Sequence, residues 1–196
     1  MNSYKELPNN YIKDYEIDAK DTKTGIILNV ATLILALIVG VLAFVLKFDE
    51  FKNALEGRNF TITFGFVLSM IGYVILHELT HGIFYKLFTK EKLTYGFSWS
   101  CAYCGVPNVY CNKKTTVVAC LAPFVLFTIL FVTLIIILPQ NYLTFLLIIL
   151  FAIHFGGCSG DLYLSLKLIF KYKNDVFIND TGAKQSIYIK KEGNNE

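Results

Sequence analysis

Four long apolar stretches, each bounded by polar residues, dominate the chain: Gly25 to Leu46, Phe60 to Leu87, Thr116 to Leu138 and Tyr142 to Phe170. Each reaches the roughly 20 residues a helix needs to cross the hydrocarbon core of a bilayer, so the pattern predicts four transmembrane helices. The first follows a polar arm of 24 residues, is too long for a signal-peptide core and carries no small-residue cleavage site, so it reads as a retained span. Pro123, inside the third stretch, predicts a kink or a local widening, because proline removes a backbone donor and crowds the preceding turn.

Between the second and third stretches the period changes from helical to two. Leu93, Tyr95, Phe97, Trp99, Cys101 and Tyr103 fall on one face, with Thr94, Gly96, Ser98, Ser100 and Ala102 on the other, which predicts a strand. Gly105 to Asn108 reads as a turn and Val109 to Cys111 as a short return, giving a hairpin over 93–111. Its aromatic face suits the membrane interface or the underside of the helices. The tail has two readings: a second small hairpin, Val176 to Ile178 with Ile187 to Ile189 around Asp180-Thr181-Gly182, or a disordered polar segment. The expected fold is an all-α polytopic membrane protein of four transmembrane helices with a small cytosolic or interfacial β-hairpin. It divides into an amino-terminal arm (1–24), a four-helix domain (25–170) and a carboxy-terminal tail (171–196).

Composition and charge sharpen that picture. At 55% hydrophobic and 17% charged residues, the chain has too little polar surface to coat a soluble globule. Four of its basic residues precede the first stretch, five lie on the side where the second stretch leads into the third (Lys86, Lys90, Lys92, Lys113, Lys114) and six run from Lys167 onward, against only Lys47, Lys52 and Arg58 elsewhere. This asymmetry places both termini and the middle connection in the cytosol of a cell membrane. The net charge of +3 therefore reports topology, and no basic, aromatic stripe points to nucleic acid. The near absence of arginine fits a low-GC bacterial source. Five cysteines (Cys101, Cys104, Cys111, Cys120, Cys158) fall in cytosolic or membrane segments and are expected as free thiols. Cys101-x-x-Cys104 with Cys111 lacks a fourth ligand nearby, and the strand pattern accounts for each of them.

Candidate chemistry concentrates at the inner end of the second stretch. His77-Glu78-Leu79-Thr80-His81 sets two imidazoles four residues apart, one above the other on a helix, facing a single ion, with Glu78 beside them to take a proton from water. Zinc needs a third protein ligand at matching depth, and the fourth stretch offers His154 and Asp161. His77 lies about 25 Å below the outer end of its helix, Asp161 about 28 Å and His154 about 18 Å, at 1.5 Å per residue. Ionisable groups at membrane depth cost on the order of 2.5–3.5 kcal/mol each, so four at compatible depths call for one explanation. Asp161 is the expected third ligand. His154, seven residues before it on the same helical face, is read as an alternative ligand, a donor to a carboxylate or a catalytic hydrogen-bond donor in the transition state. Gly156 and Gly160 form a G-x-x-x-G, read as a close helix contact.

With H-E-x-x-H-G on one span, Ala122-Pro123 on the next and His154-x-x-Gly157-x-x-Gly160-Asp161 on the last, the chain resembles intramembrane zinc metalloproteases of the site-2 protease type. It resembles more closely a group of small bacterial membrane zincin peptidases. The likeness covers about 60–180, with the first helix an addition. It implies His77, His81 and Asp161 as zinc ligands, Glu78 as general base and acid, and cleavage of membrane protein or peptide substrates near the cytosolic face. The chain departs from the site-2 pattern: His154 stands near an expected asparagine, Leu162 follows the acid, and Phe124-Val125-Leu126 replaces an asparagine after the proline. A zinc-holding sensor or partner subunit without turnover, and a small transporter, are the rival readings.

Overall fold

A computed structural model describes residues 3–46, 60–99, 101–139 and 141–191. Its elements run β1 (Ser3–Tyr4), β2 (Tyr11–Asp18), α1 (Thr22–Leu46), α2 (Phe60–Thr89), β3 (Thr94–Phe97), β4 (Ala102–Gly105), β5 (Tyr110–Asn112), α3 (Lys113–Ile137), α4 (Tyr142–Gly157), α5 (Ser159–Lys171), β6 (Phe177–Asp180) and β7 (Lys184–Lys190). The connection carrying Lys47, Lys52 and Arg58 lies outside the described residues.

Helices α1, α2 and α3 are each long and apolar enough to cross a bilayer, and α4 with α5 makes a fourth, bent segment. Their outer faces expose Ile27, Leu37, Val45, Ile71, Ile129 and Phe170, the apolar surface of a membrane protein. Local sequence sets the helix starts. The Asn112 side chain accepts from the Thr115 amide at 2.8 Å, and that of Asn141 accepts from Leu143 and Thr144, so donors left over in the first turns are satisfied. Helix α3 continues through Pro123.

The fourth span is not one straight helix. It bends by 43° at Cys158, within Gly156-Gly157-Cys158-Ser159-Gly160, where glycine lowers helix propensity most. Only one glycine of the expected close-packing pair serves that purpose. A Cβ at Gly156 would run into the Thr32 carbonyl and Ala36 of α1, whereas nothing lies within 4 Å of one at Gly160. Beside that contact Thr32 Oγ1 meets Ser159 Oγ at 2.9 Å, tying α1 to the start of α5.

The expectation of an all-α fold is too simple. A five-stranded sheet in the order β1-β5-β6-β7-β2 gathers the amino-terminal arm, the end of the middle connection and the tail. Of the two readings of the tail the structure has the hairpin, turning at Gly182 with φ +98°, a conformation glycine adopts without strain. Its outer partner is β2, paired antiparallel from Tyr11↔Lys190 to Asp18↔Lys184 with an irregularity between Lys13 and Tyr15. Because the arm, the middle connection and the tail meet in one sheet, they share one side of any membrane the helices cross. Even numbers of crossings must separate them, so α4 and α5 together act as a single span.

The middle hairpin is shorter than its alternation suggests. β3 and β4 pair from Thr94↔Gly105 to Phe97↔Ala102, and the chain turns at Ser98, whose amide donates to the Cys101 carbonyl at 2.8 Å, instead of running on to Tyr103. The expected return strand, β5, leaves this hairpin and joins the larger sheet between β1 and β6. Phe97 and Trp99 are 80% and 62% exposed, while Leu93 packs on a buried cluster that includes Tyr85, Val106 and Ala119. Two other clusters hold the fold: Tyr73, Phe131 and Leu150 among the spans, and Leu164, Leu168, Ile178 and Ile187 between α5 and the sheet.

Candidate metal centre

Helical spacing on α2 does what the sequence implies: His77 and His81 lie one turn apart with ring centroids 4.9 Å from each other, edge to face. The bend at Cys158 brings Asp161, in the first turn of α5, across to both. His77 Nε2 and His81 Nε2 lie 3.4 Å and 3.3 Å from Asp161 Oδ2. A charge-assisted N–H···O bond between such groups would close to about 2.7–2.9 Å, so these separations are long for hydrogen bonds alone. They match the roughly 3.3 Å between ligand atoms on a tetrahedron with metal bonds of about 2.0–2.1 Å. Two imidazoles and one carboxylate within 4.8 Å of one another are a donor set that suits zinc. His81 is further held by its other nitrogen: Nδ1 lies 2.9 Å from the Ala119 carbonyl, which only accepts, so that nitrogen carries a proton, and in the neutral ring this leaves the Nε2 lone pair for a metal.

Glu78 is half-buried beside the two histidines, with the backbone N–H of Cys104 on β4 among its polar neighbours. A cavity of about 270 Å³ opens here, lined by His77, Glu78, His81 and Asp161, by Tyr103 and Cys104 of β4, and by residues of α1 and the tail. Gly82, which follows the motif, lets the Tyr95 hydroxyl of β3 rest against α2 where a Cβ would collide with it.

His154 does not join Asp161. The depth difference of about 10 Å read from the sequence puts it almost two turns above Asp161, beside Tyr73, and its ring is fully buried among Phe124, Phe127, Phe131 and Phe151. Tyr73 Oη sits 2.7 Å from His154 Nδ1 and 3.1 Å from His77 Nδ1, and Thr128 Oγ1 lies 3.1 Å from His154 Nε2. Tyr73 and Thr128 escaped the sequence reading, which weighed only ionisable groups. A tyrosine one turn before His77 in an apolar helix was the available signal.

The tail supplies another unforeseen residue. Asp180 lines the cavity wall, accepts from the Tyr85 hydroxyl at 2.6 Å and from the Gly182 amide at 2.8 Å, and is pushed up to about 6 by burial. All five cysteines are thiols outside any disulfide. The groupings of metal-capable side chains among the described residues take in neither Cys101, Cys104 nor Cys111, and burial raises the Cys104 and Cys111 thiols to about 12, which leaves them protonated and unreactive.

The centre and the fold around it define a zincin-type membrane protein. The family described as "Putative zincin peptidase" matches residues 70–177, more than half of the chain, and the chain belongs to it. The matched segment starts just before Tyr73 and ends in β6, so it holds His77, Glu78, His81, His154 and Asp161, while α1, β2 and Asp180 lie outside it. No curated protein and no solved structure matches the chain.

Proposed function

We propose that the protein is an intramembrane zinc metalloprotease of the site-2 type, cleaving peptide bonds of membrane-associated protein or peptide substrates near the cytosolic face. The convergence of His77 Nε2, His81 Nε2 and Asp161 Oδ2 from two spans, with Glu78 alongside, carries this reading. In it, His77, His81 and Asp161 hold the ion. Zinc there supplies Lewis acidity, which polarises a carbonyl and makes a neighbouring water a better nucleophile at neutral pH.

The remaining chemistry belongs to the chain. Glu78 takes the proton of the attacking water and returns it to the leaving nitrogen, a task suited to a carboxylate that borders the donor set without belonging to it. The Ala119 carbonyl fixes the imidazole of His81, and the surrounding apolar spans keep bulk water from the reacting bond. An unwound substrate segment pairs along β4, whose Ala102, Tyr103 and Cys104 border the cavity. The lysine distribution orients the shared sheet toward the cytosol of a bacterial cell, which sets the depth of the centre in the inner half of the bilayer.

The test compares purified wild type with Glu78→Gln, His77→Ala and Asp161→Ala for zinc content and for cleavage of a membrane-embedded reporter. Glu78→Gln keeps zinc and loses at least a hundredfold in cleavage, whereas the two ligand variants lose both. Full turnover by Glu78→Gln would leave a zinc-binding membrane protein with another role.

A further inference from the structure

We infer that Tyr73 and His154 form a buried hydrogen-bond chain that fixes the orientation and tautomer of His77, making His154 a positioning residue of the metal centre. The inference rests on His77 being a metal ligand through Nε2. A neutral imidazole that ligates through Nε2 keeps its proton on Nδ1, and that nitrogen faces Tyr73 Oη at 3.1 Å. His77 then donates to Tyr73. The single phenolic proton is free to donate onward to His154 Nδ1 at 2.7 Å, the shorter of the two contacts. With its Nδ1 accepting, His154 carries its proton on Nε2, where Thr128 Oγ1 receives it at 3.1 Å. Donors and acceptors thus agree in one direction, His77 to Tyr73 to His154 to Thr128.

The surroundings make the chain matter. His154 is fully buried inside a cage of phenyl rings, so no water can replace a lost partner. Tyr73 also anchors a buried apolar cluster with Phe131 and Leu150, which sets its hydroxyl in place before any ion arrives. The same neighbourhood admits a competing reading, because ligand atoms of His77, His154 and Cys158 lie within 4.8 Å of one another and could hold a second ion. Tyr73 Oη stands within hydrogen-bond distance of both imidazoles, and Cys158 Sγ is 3.6 Å from His154 Nδ1, a length that suits a thiol hydrogen bond. The Tyr73 hydroxyl thus accounts for the facing nitrogens of both imidazoles without an ion, and the Cys158 thiol lies beside them as the longer contact.

Cobalt(II) titration of the full chain in detergent, after zinc removal, separates these readings by affinity, ions per chain and visible absorption. Tyr73→Phe, which keeps the ring and removes one oxygen, is expected to bind a single ion about 10–100-fold more weakly with a shifted spectrum. His154→Ala should do the same, the double variant no worse than Tyr73→Phe alone, and His154→Gln, which restores an acceptor, should recover part of the loss. Wild-type affinity and spectrum in Tyr73→Phe, alongside loss of binding in His77→Ala, would overturn the inference while leaving the metal centre intact. Two ions per wild-type chain, the second lost in His154→Ala, would overturn it in favour of a dinuclear site. Unchanged binding in His77→Ala would remove instead the ligand assignment beneath it. Should His154→Ala fail to fold, Tyr73→Phe decides the question by itself.

Discussion

The Tyr95 hydroxyl abuts the backbone of Gly82, one residue past the second histidine of the motif. That contact seats the β3–β4 hairpin on α2 and sets the distance between Glu78 and the edge of β4. Gly82→Ala gains about 1 kcal/mol of helix propensity but overpacks the contact by about 1–3 kcal/mol, leaving a small net loss. Removing the offending oxygen should relieve it. In a double-mutant cycle of thermal stability, Tyr95→Phe is expected to cost less in the Gly82→Ala background than in wild type; strict additivity would mean that the two side chains do not meet.

The approach of α1 to α4 should be equally selective. Gly156→Val forces a branched side chain onto the Thr32 carbonyl and Ala36, and should lower stability by about 1–3 kcal/mol. Gly160→Ala and Gly157→Ala meet nothing within 4 Å and should be neutral or mildly stabilising. Denaturant midpoints in detergent that fall equally for all three would contradict this packing.

Stability should also depend on Asp180. Its folded carboxyl is raised from 3.8 to about 6 by burial, so the folded state binds the proton more tightly than the unfolded chain does. The advantage is fully present below about 3.8 and is lost as pH climbs through about 6. The shift of about two units corresponds to roughly 3 kcal/mol. Asp180→Asn, which cannot titrate, should flatten the fall in melting temperature between pH 4 and pH 6 on the ordinary ~1.4 kcal/mol per unit scale. A profile unchanged by the substitution would assign that slope to other groups.

Ser98 tests the docking edge. Proline there removes the amide that closes the hairpin turn onto the Cys101 carbonyl and should loosen β4. Reporter cleavage by Ser98→Pro is expected to fall several-fold with zinc content unchanged. Normal cleavage would mean that substrate does not use this strand.

What the sequence disclosed divides along physical lines. Apolar run length showed the spans, and four-residue spacing with depth counting paired His77 and His81 with Asp161, because helical geometry converts residue number directly into position. The same counting separated His154 from Asp161 by about 10 Å, yet a shared helical face suggested a shared target; the bend at Cys158 and the presence of Tyr73 decide otherwise. The large sheet stayed hidden for a different reason. β2 reads Tyr-Ile-Lys-Asp-Tyr-Glu-Ile-Asp, with a register irregularity after Lys13, and β5 has three residues, so neither shows a clean period of two. Pairing between segments this far apart in the chain leaves no local trace.

Because β2 waits for a partner some 170 positions downstream, it leaves the ribosome long before β7 exists to pair with it. The wall that Ala19, Asp180 and Gln185 give the cavity therefore comes together only after α1 to α5 have been synthesised. Until the tail folds back, the donor set of His77, His81 and Asp161 faces a cavity that lacks one side of its lining.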